Sequence, residues 1–238
     1  TGTRSRKLLA VSDRATALTA SQTERRDRML SATTELAREG GWDAVQMREV
    51  AQRSDVALGT LYRYFPSKEF LLVSVMVADI ESLADRLSVR PARGDDPVER
   101  VFDVLKRANR ALQREPDLTI AMIRALVSGN EDILPAVLRT RSMMRRIISD
   151  ALGVGAEVDH GDGRQGAAVD VAGQTVGVVG VGERAPESID DAEVDELTRS
   201  IDLLSDVWMA ALVSWISGVH ASEGIVAKLE TASRRLLV

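Results

Sequence analysis

A cluster of side chains between residues 58 and 64 could bind nucleic acid. Within five positions the chain places a threonine, two tyrosines and an arginine: Thr60, Tyr62, Arg63 and Tyr64. We expect this segment to be a helix of about two turns, with these four side chains facing outward. Phenols stack on sugars and touch thymine methyl groups, while hydroxyl and guanidinium groups bind phosphate oxygens and base edges. The cluster therefore favours a nucleic-acid interface.

Three short helices are expected to position this cluster. The spacing of apolar residues predicts them over 21–39, 47–53 and 58–64. Ser21 is a candidate N-cap of the first helix, with Glu24 at the capping-box position, and Gly40-Gly41 should end that helix. Pro66 should end the third. The last two helices are joined by a four-residue turn, which is the arrangement of a helix-turn-helix.

The rest of the chain is predicted to be helical, so the fold class is all-α. Candidate helices cover 67–88, 97–114, 117–128, 131–151, 191–218 and 222–237. The stretch 153–190 differs because it holds nine of the 17 glycines, and we interpret it as a mobile insertion with room for a small hairpin near 169–181. The predicted domains are a flexible basic arm (1–20), a helix-turn-helix domain (21–66) and a helical domain (67–238).

The charge is divided unevenly along the chain. The net charge is −5, but residues 1–68 carry +4 and the remainder −9. A basic end on an acidic body suits a chain that meets phosphates at one end, although chance could also give such a surplus. The basic arm could add contacts to DNA or be an untethered tail. The absence of cysteine, of a secretion signal and of an apolar run of ~20 residues favours a cytoplasmic protein without membrane contact.

Enzymatic chemistry has little support in the sequence. The two histidines, His160 and His220, lie apart from any nucleophile or carboxylate pair at helical spacing. Residues 159–162 are better read as a polar loop than as a metal site, and the glycines near 177–182 lack the strand-turn-helix setting of a dinucleotide fingerprint. We therefore predict no catalytic residue, no metal and no cofactor. A helical enzyme is a distant alternative, and a pure interaction protein would not need the aromatic and basic cluster.

The segment 55–69, followed by Leu71-Leu72, resembles the TetR family of transcriptional regulators. Its core, Gly59 to Lys68, reads G-T-L-Y-x-x-F-x-x-K, the pattern with which that family opens its fourth helix. The resemblance is specific over residues 25–72, about a fifth of the chain. It implies a homodimer that binds a palindromic operator in double-stranded DNA, and a C-terminal domain for dimerisation and for a small apolar effector. Effector binding would release the repressor from its operator.

The resemblance also implies which residues contact DNA. The matching positions are Arg48, Gly59, Thr60, Tyr62, Arg63, Tyr64 and Lys68. Arg48 corresponds to a base-edge reader, Gly59 to a point of close backbone approach, and Lys68 to a phosphate clamp at a helix N-terminus. Arg63 could contact either a base or a phosphate.

Simpler interpretations of three of these residues stay open at this point. Tyr62 could be half-buried packing, and Lys68 could be an ordinary solvated charge. Arg48 could pair with a neighbouring acid, Glu49 or Asp55.

Two further sets of residues are expected in the C-terminal domain. The candidate ligand-binding residues are Met76, Ile80, Leu105, Met122, Leu126 and Met143. Methionine adapts to irregular apolar ligands, but any one of these could simply be core. The candidate dimer-interface residues form two apolar stripes, namely Leu204, Trp208, Leu212, Trp215, Leu229 and Leu236. These stripes could pair across a two-fold axis as a four-helix bundle or face the core of their own subunit.

A narrower resemblance is to the KstR-like subgroup, whose members regulate cholesterol and steroid catabolism. It is carried by residues 44–48, 56–68, 109–114, 119–125 and 205–208. It implies an effector that is a steroid or its coenzyme A thioester. The insertion 153–190 departs from that subgroup, so regulation of drug efflux or fatty-acid metabolism is the alternative.

Overall fold

The computed structural model of the chain describes residues 20–154, 168–171, 174–177, 189–219 and 221–237. Its helices are α1 (Ala20–Ala44), α2 (Met47–Arg53), α3 (Leu58–Tyr64), α4 (Lys68–Val89), α5 (Pro97–Arg114), α6 (Pro116–Leu126), α7 (Leu134–Leu152), α8 (Ile189–Ile216) and α9 (Ser222–Leu236). A 3₁₀ turn, Glu131–Ile133, precedes α7. Two short antiparallel strands, β1 (Ala168–Val171) and β2 (Gln174–Gly177), lie within the insertion. We call α1–α3 the head and the helices from α4 onward the body.

The first helix departs from its predicted ends. It begins at Ala20, so Ser21 lies inside the helix and the expectation that it caps α1 was wrong. The predicted break at Gly40-Gly41 is present, because both residues leave helical geometry. Gly41 has a φ of 62°, in the left-handed region that favours glycine. The break turns the chain so that Trp42 comes to lie beside α4 and α6.

A small apolar core fixes the angle between α2 and α3. Val45, Val50, Leu61 and Phe65 are fully buried at its centre. In the turn between the helices the Val56 amide donates to the Ala51 carbonyl at 3.0 Å. Asp55 takes a φ of 53°, which aspartate tolerates better than most residues. The bounds of both helices agree with those predicted from sequence.

The body is built around α4, which packs against α6 and α7. Ser67 caps this helix by accepting a hydrogen bond from the Phe70 amide at 3.1 Å. Asp96 caps α5 in the same way, accepting from the Glu99 amide at 2.8 Å. Helices α8 and α9 pack on each other and cover α7 and α5, respectively.

The all-α class is confirmed, and the small hairpin spans 168–177, starting one residue before the range of 169–181 expected for it. Helix α6 begins one residue before its predicted start and ends two residues before its predicted end. The predictions for residues 1–19 of the basic arm (1–20), for the rest of the insertion, and for His160 and His220 lie outside the described residues. None of the described helices is long and apolar enough to cross a membrane.

Candidate nucleic-acid interface and ligand cavity

Helix α3 presents an open outer face. Tyr62 is 48% exposed and the neighbouring Arg63 is exposed, while Thr60 is partly exposed. Tyr62 is therefore not a packing residue of the core. A hydroxyl, a phenol and a guanidinium thus project from one short helix, which is the chemistry needed to contact bases and phosphates.

Tyr64 does not belong to this outer face, and the expectation that it points outward was wrong. It is only 8% exposed, and its ring centroid lies 6.3 Å from that of Phe65. The reason is helical phase, because Tyr64 follows the buried Leu61 by three residues and so shares its inward side. The spacing alone could have revealed this.

Gly59 lies in the first turn of α3 and is exposed. A Cβ built at this position would meet no atom of the protein within 4 Å. The fold therefore does not need glycine here. The empty space in front of the backbone is open to a partner.

Arg48 is exposed on the first turn of α2. Of the described acids, neither Glu49 nor Asp55 forms an ion pair with it. The other end of α2 is fixed instead by Arg53, whose Nη1 lies 2.6 Å from Oε1 of Glu39 on α1. The guanidinium of Arg48 is thus available to a partner.

Lys68 is not an ordinary solvated charge. Its Nζ lies 4.1 Å from the centroid of the Trp42 ring, and the guanidinium carbon of Arg124 lies 4.6 Å from the same centroid. Burial lowers the pKa of Lys68, as does the nearby Arg124, while Asp43 and Glu69 act in the opposite direction. The ammonium is held by a cation–π contact at the N-terminus of α4. The sequence analysis missed Trp42, because nothing in the local pattern indicates which helices meet at its ring.

A large cavity lies among α4, α5, α6, α7 and α8. Its volume is about 1330 Å³. Four of the predicted ligand-binding residues line it, namely Met76, Ile80, Met122 and Leu126. The interior of the body is therefore large enough to admit a small molecule.

Two of the predicted ligand residues lie outside this cavity wall, Leu105 and Met143. Leu105 is fully buried and packs in the core on another side of α5. On α7 the wall is formed by residues 137, 140, 141 and 144. Their spacing of three to four residues places them on one face of the helix, which includes Met144 but not Met143. Met144 therefore replaces Met143 as the methionine of α7 in the wall.

Arginines dominate the polar part of the wall, and the sequence analysis did not anticipate them. They are Arg38, Arg86, Arg90, Arg93, Arg107, Arg110, Arg114 and Arg141. Arg107 pairs with Asp103 at 2.6 Å and Arg141 with Asp206 at 3.0 Å. Five others form no ion pair with any described residue: Arg86, Arg90, Arg93, Arg110 and Arg114. The cavity thus joins an apolar interior to unpaired positive charge.

Two carboxyl groups of α4, those of Asp79 and Asp85, also line the cavity. Asp79 lies near Arg38, Arg86 and Glu115, all of which line the same cavity. Burial raises the pKa of Asp79, as does the nearby Glu115, while the two arginines lower it. Asp79 is exposed to the cavity, but the protein around the cavity still reduces the hydration of its carboxyl group.

The apolar stripes of α8 and α9 face the core of their own subunit. Leu204, Leu212 and Leu229 are at most 2% exposed, so assigning them to a dimer interface was wrong. Trp208 lines the cavity. Trp215 and Leu236 are partly buried and pack against the same core. The physical reason is that α8 and α9 cover α7 and α5 and use these stripes to do so.

An exposed recognition helix on a three-helix head, together with a body that encloses a cavity, defines a helix-turn-helix transcription regulator. Residues 29–75 match the bacterial regulatory proteins of the tetR family, and residues 94–162 match the tetracyclin repressor-like C-terminal domain. The chain is 33% identical over 216 residues to the HTH-type transcriptional repressor KstR of Rhodococcus jostii RHA1, covering 91% of this chain and 84% of that protein. It belongs to the TetR family, in the KstR-like subgroup, and is a regulator rather than an enzyme.

Solved structures have the same architecture. A TetR transcriptional regulator from Rhodococcus sp. RHA1 is 31% identical, with a TM-score of 0.70, over 92% of this chain and 98% of that one. FadR of Thermus thermophilus, a repressor solved in complex with lauroyl-CoA, is 21% identical, with a TM-score of 0.54, over 89% of this chain and 93% of that one. The second likeness concerns the fold alone.

Proposed function

We propose that this protein is a homodimeric repressor whose operator affinity is lowered by an effector with a large apolar part and an anionic part. Coenzyme A thioesters of steroids or long acyl chains have this chemistry. The observation that carries the proposal is the cavity, in which apolar side chains of α4 and α6 lie near arginines that have no partner among the described residues. The protein would act in the cytoplasm, where its DNA is.

On the DNA side, the proposed contacts come from α2, α3 and the start of α4. They are Arg48, Gly59, Thr60, Tyr62, Arg63 and Lys68. Two such heads, one helical turn of DNA apart, would read a palindrome in adjacent major grooves. We place the head at residues 21–66 and the body at 67–238, with the arm 1–20 available for further phosphate contacts.

The size and charge of the cavity support this class of effector. A volume of about 1330 Å³ exceeds the range of about 300–1,000 Å³ that is usual for small-ligand pockets. Guanidinium groups bind phosphate in a bidentate manner, so the unpaired arginines suit the phosphates of coenzyme A. The KstR-like resemblance favours a steroidal acyl group, and the solved FadR shows that this fold can hold a coenzyme A thioester.

A second copy would pack on the outward sides of α8 and α9. Leu203, on α8, is 49% exposed, and Val219, just after α8, is 66% exposed. The inward stripes pack in the subunit core, whereas these two apolar side chains of α8 and of the turn after it are open to a second copy. They suit the four-helix packing of a two-fold dimer.

Ligand identification and DNA selection test the proposal together. Native mass spectrometry of the purified protein, incubated with a steroid side-chain acyl-CoA, lauroyl-CoA and free coenzyme A, should show one thioester bound per subunit. Selection from random DNA should enrich a palindrome. Replacing two wall arginines (Arg110→Gln with Arg114→Gln) should weaken thioester binding about tenfold, whereas Arg146→Gln, an exposed arginine of α7 outside the wall, should not. Absence of any thioester complex, or of an enriched DNA sequence, would contradict the proposal.

A further inference from the structure

One residue of the head reaches the cavity. Arg38, on α1, is the only head residue among the described residues that line the cavity wall. Its Nε donates to Oε2 of Glu115 at 2.5 Å. Glu115 precedes Pro116 at the start of α6 and also lines the cavity. The pair therefore connects the DNA-binding head to the body at a place that a bound molecule can touch.

The pair is accessible from the cavity and is not locked by burial. The side chains of Arg38 and Glu115 are 50% and 36% exposed, respectively. Exposed ion pairs contribute little to stability, so an anionic oxygen of a ligand can compete with Glu115 for the guanidinium. Asp79 of α4 lies near both side chains, so helices α1, α4 and α6 meet at this point of the wall.

The other polar links between head and body lie away from the cavity. Arg26 of α1 lies near Glu81 of α4, with which it interacts electrostatically. Trp42 contacts Arg124 of α6 through its ring. None of these four residues belongs to the cavity wall. Among these polar links, the Arg38–Glu115 pair is the one that an occupant of the cavity would meet directly.

We propose that Arg38 is a ligand-contacting residue through which the head senses the occupant. An anionic group of the ligand binds Arg38 and displaces Glu115, so that α1 loses this contact with the start of α6 while the packing between the two helices adjusts. The head then changes its orientation relative to the body, and the two heads of a dimer no longer match the operator. This inference rests on the proposed function, since it requires an anionic effector in this cavity.

The test uses the full chain, lauroyl-CoA as the probe and the DNA sequence recovered by selection. Arg38→Gln removes the anion contact, Glu115→Gln removes only the competitor, and Arg114→Gln is the matched control, a wall arginine of the body without an ion pair to any described residue. Ligand affinity is measured by calorimetry, and DNA affinity by fluorescence anisotropy with and without saturating ligand. Thermal melting followed by circular dichroism verifies that each variant is folded.

In the unsubstituted protein, saturating lauroyl-CoA should lower DNA affinity at least tenfold. In Arg38→Gln the thioester should bind more weakly and, at saturation, change DNA affinity less than twofold. Glu115→Gln should bind the thioester more tightly, whereas Arg114→Gln should bind it more weakly but keep the full effect at saturation. A tenfold effect retained in Arg38→Gln would overturn this inference alone. Bound lauroyl-CoA that leaves the DNA affinity of the unsubstituted protein unchanged would contradict the proposed function as well.

Discussion

At position 59 the fold does not require glycine, whereas close approach to DNA does. No atom of the protein lies within 4 Å of a Cβ at this position, so the fold would accept alanine. Glycine in a helix costs about 0.5–1 kcal/mol relative to alanine. Gly59→Ala should therefore raise the free energy of unfolding by up to about this amount, while the added methyl group lowers operator affinity at least tenfold. Urea denaturation and fluorescence anisotropy measure the two effects.

Gly224, in α9, provides the matched control for this substitution. It also has an empty environment around its Cβ position, and it lies in the body. Gly224→Ala should stabilise the protein to a similar degree and, at protein concentrations verified by sedimentation to keep the variant dimeric, leave operator affinity unchanged. If Gly59→Ala binds the operator as well as the unsubstituted protein, the assignment of α3 to close DNA contact is wrong.

Arg48 and Lys68 should differ in the kind of affinity that they provide. Arg48→Ala should cost about 1–3 kcal/mol of specific binding and relax the preference at one base pair, as expected for a base-edge contact. Lys68→Ala should weaken binding to all sequences and reduce the slope of log affinity against log salt by about 0.9, as expected for one phosphate contact. Titrations of operator and unrelated DNA at several salt concentrations measure both. Equal losses on both DNAs for Arg48→Ala would contradict its assignment to a base edge.

At the scale of elements, the ring of Trp42 connects the end of α1 with the start of α4 and the last turn of α6. Lys68 and Arg124 both contact it. Removing the ring should leave the helices formed but free the N-terminus of α4, where the proposed phosphate clamp lies. We therefore expect Trp42→Leu to lower operator affinity about tenfold with an unchanged helical signal in circular dichroism. Trp42→Phe keeps an aromatic ring for the two cations and should lose less. Equal losses in the two variants would argue against the cation–π role.

How far the sequence predicts each element depends on whether its determinants are local. Helices α2, α3 and α5 have the predicted bounds because their apolar spacing is local, and Pro66 after α3 and the Asp96 cap of α5 mark two of the ends. Tyr64 was misplaced although the information was local, since its three-residue spacing from Leu61 fixes its face. The stripes of α8 and α9 could not be assigned from sequence, because apolar periodicity does not distinguish a subunit core from an interface.

The residues of the candidate site also differ in how well the sequence predicts them. The DNA-contacting positions follow from one continuous segment and were found together. The arginines of the cavity wall come from α1, α4, α5, α7 and the loop after α4, and they share a surface only after the helices have packed. The roles of Trp42 and Arg38 could not be predicted from sequence for the same reason. Their partners Arg124 and Glu115 are more than 70 residues away in sequence.

At the scale of the whole molecule, the proposed dimer depends on the outward face of α8. Leu203→Glu places a charge on that face and should shift the protein to monomers in sedimentation experiments, with at least a tenfold loss of operator affinity. Leu138, on α7, is similarly exposed at 42%, against 49% for Leu203, and serves as the control. Leu138→Glu should leave the oligomeric state unchanged. A dimer that survives Leu203→Glu and dissociates with Leu138→Glu would place the interface elsewhere.

The central claim is that the cavity and the DNA-binding head are thermodynamically coupled. Because coupling between two binding sites is reciprocal, the operator must weaken effector binding by the same factor by which the effector weakens operator binding. The most direct measurement is the affinity for the bound thioester, determined by calorimetry with and without saturating operator DNA. We expect the dissociation constant of the thioester to rise at least tenfold when operator is present. An effector affinity that is the same with and without operator would contradict the account.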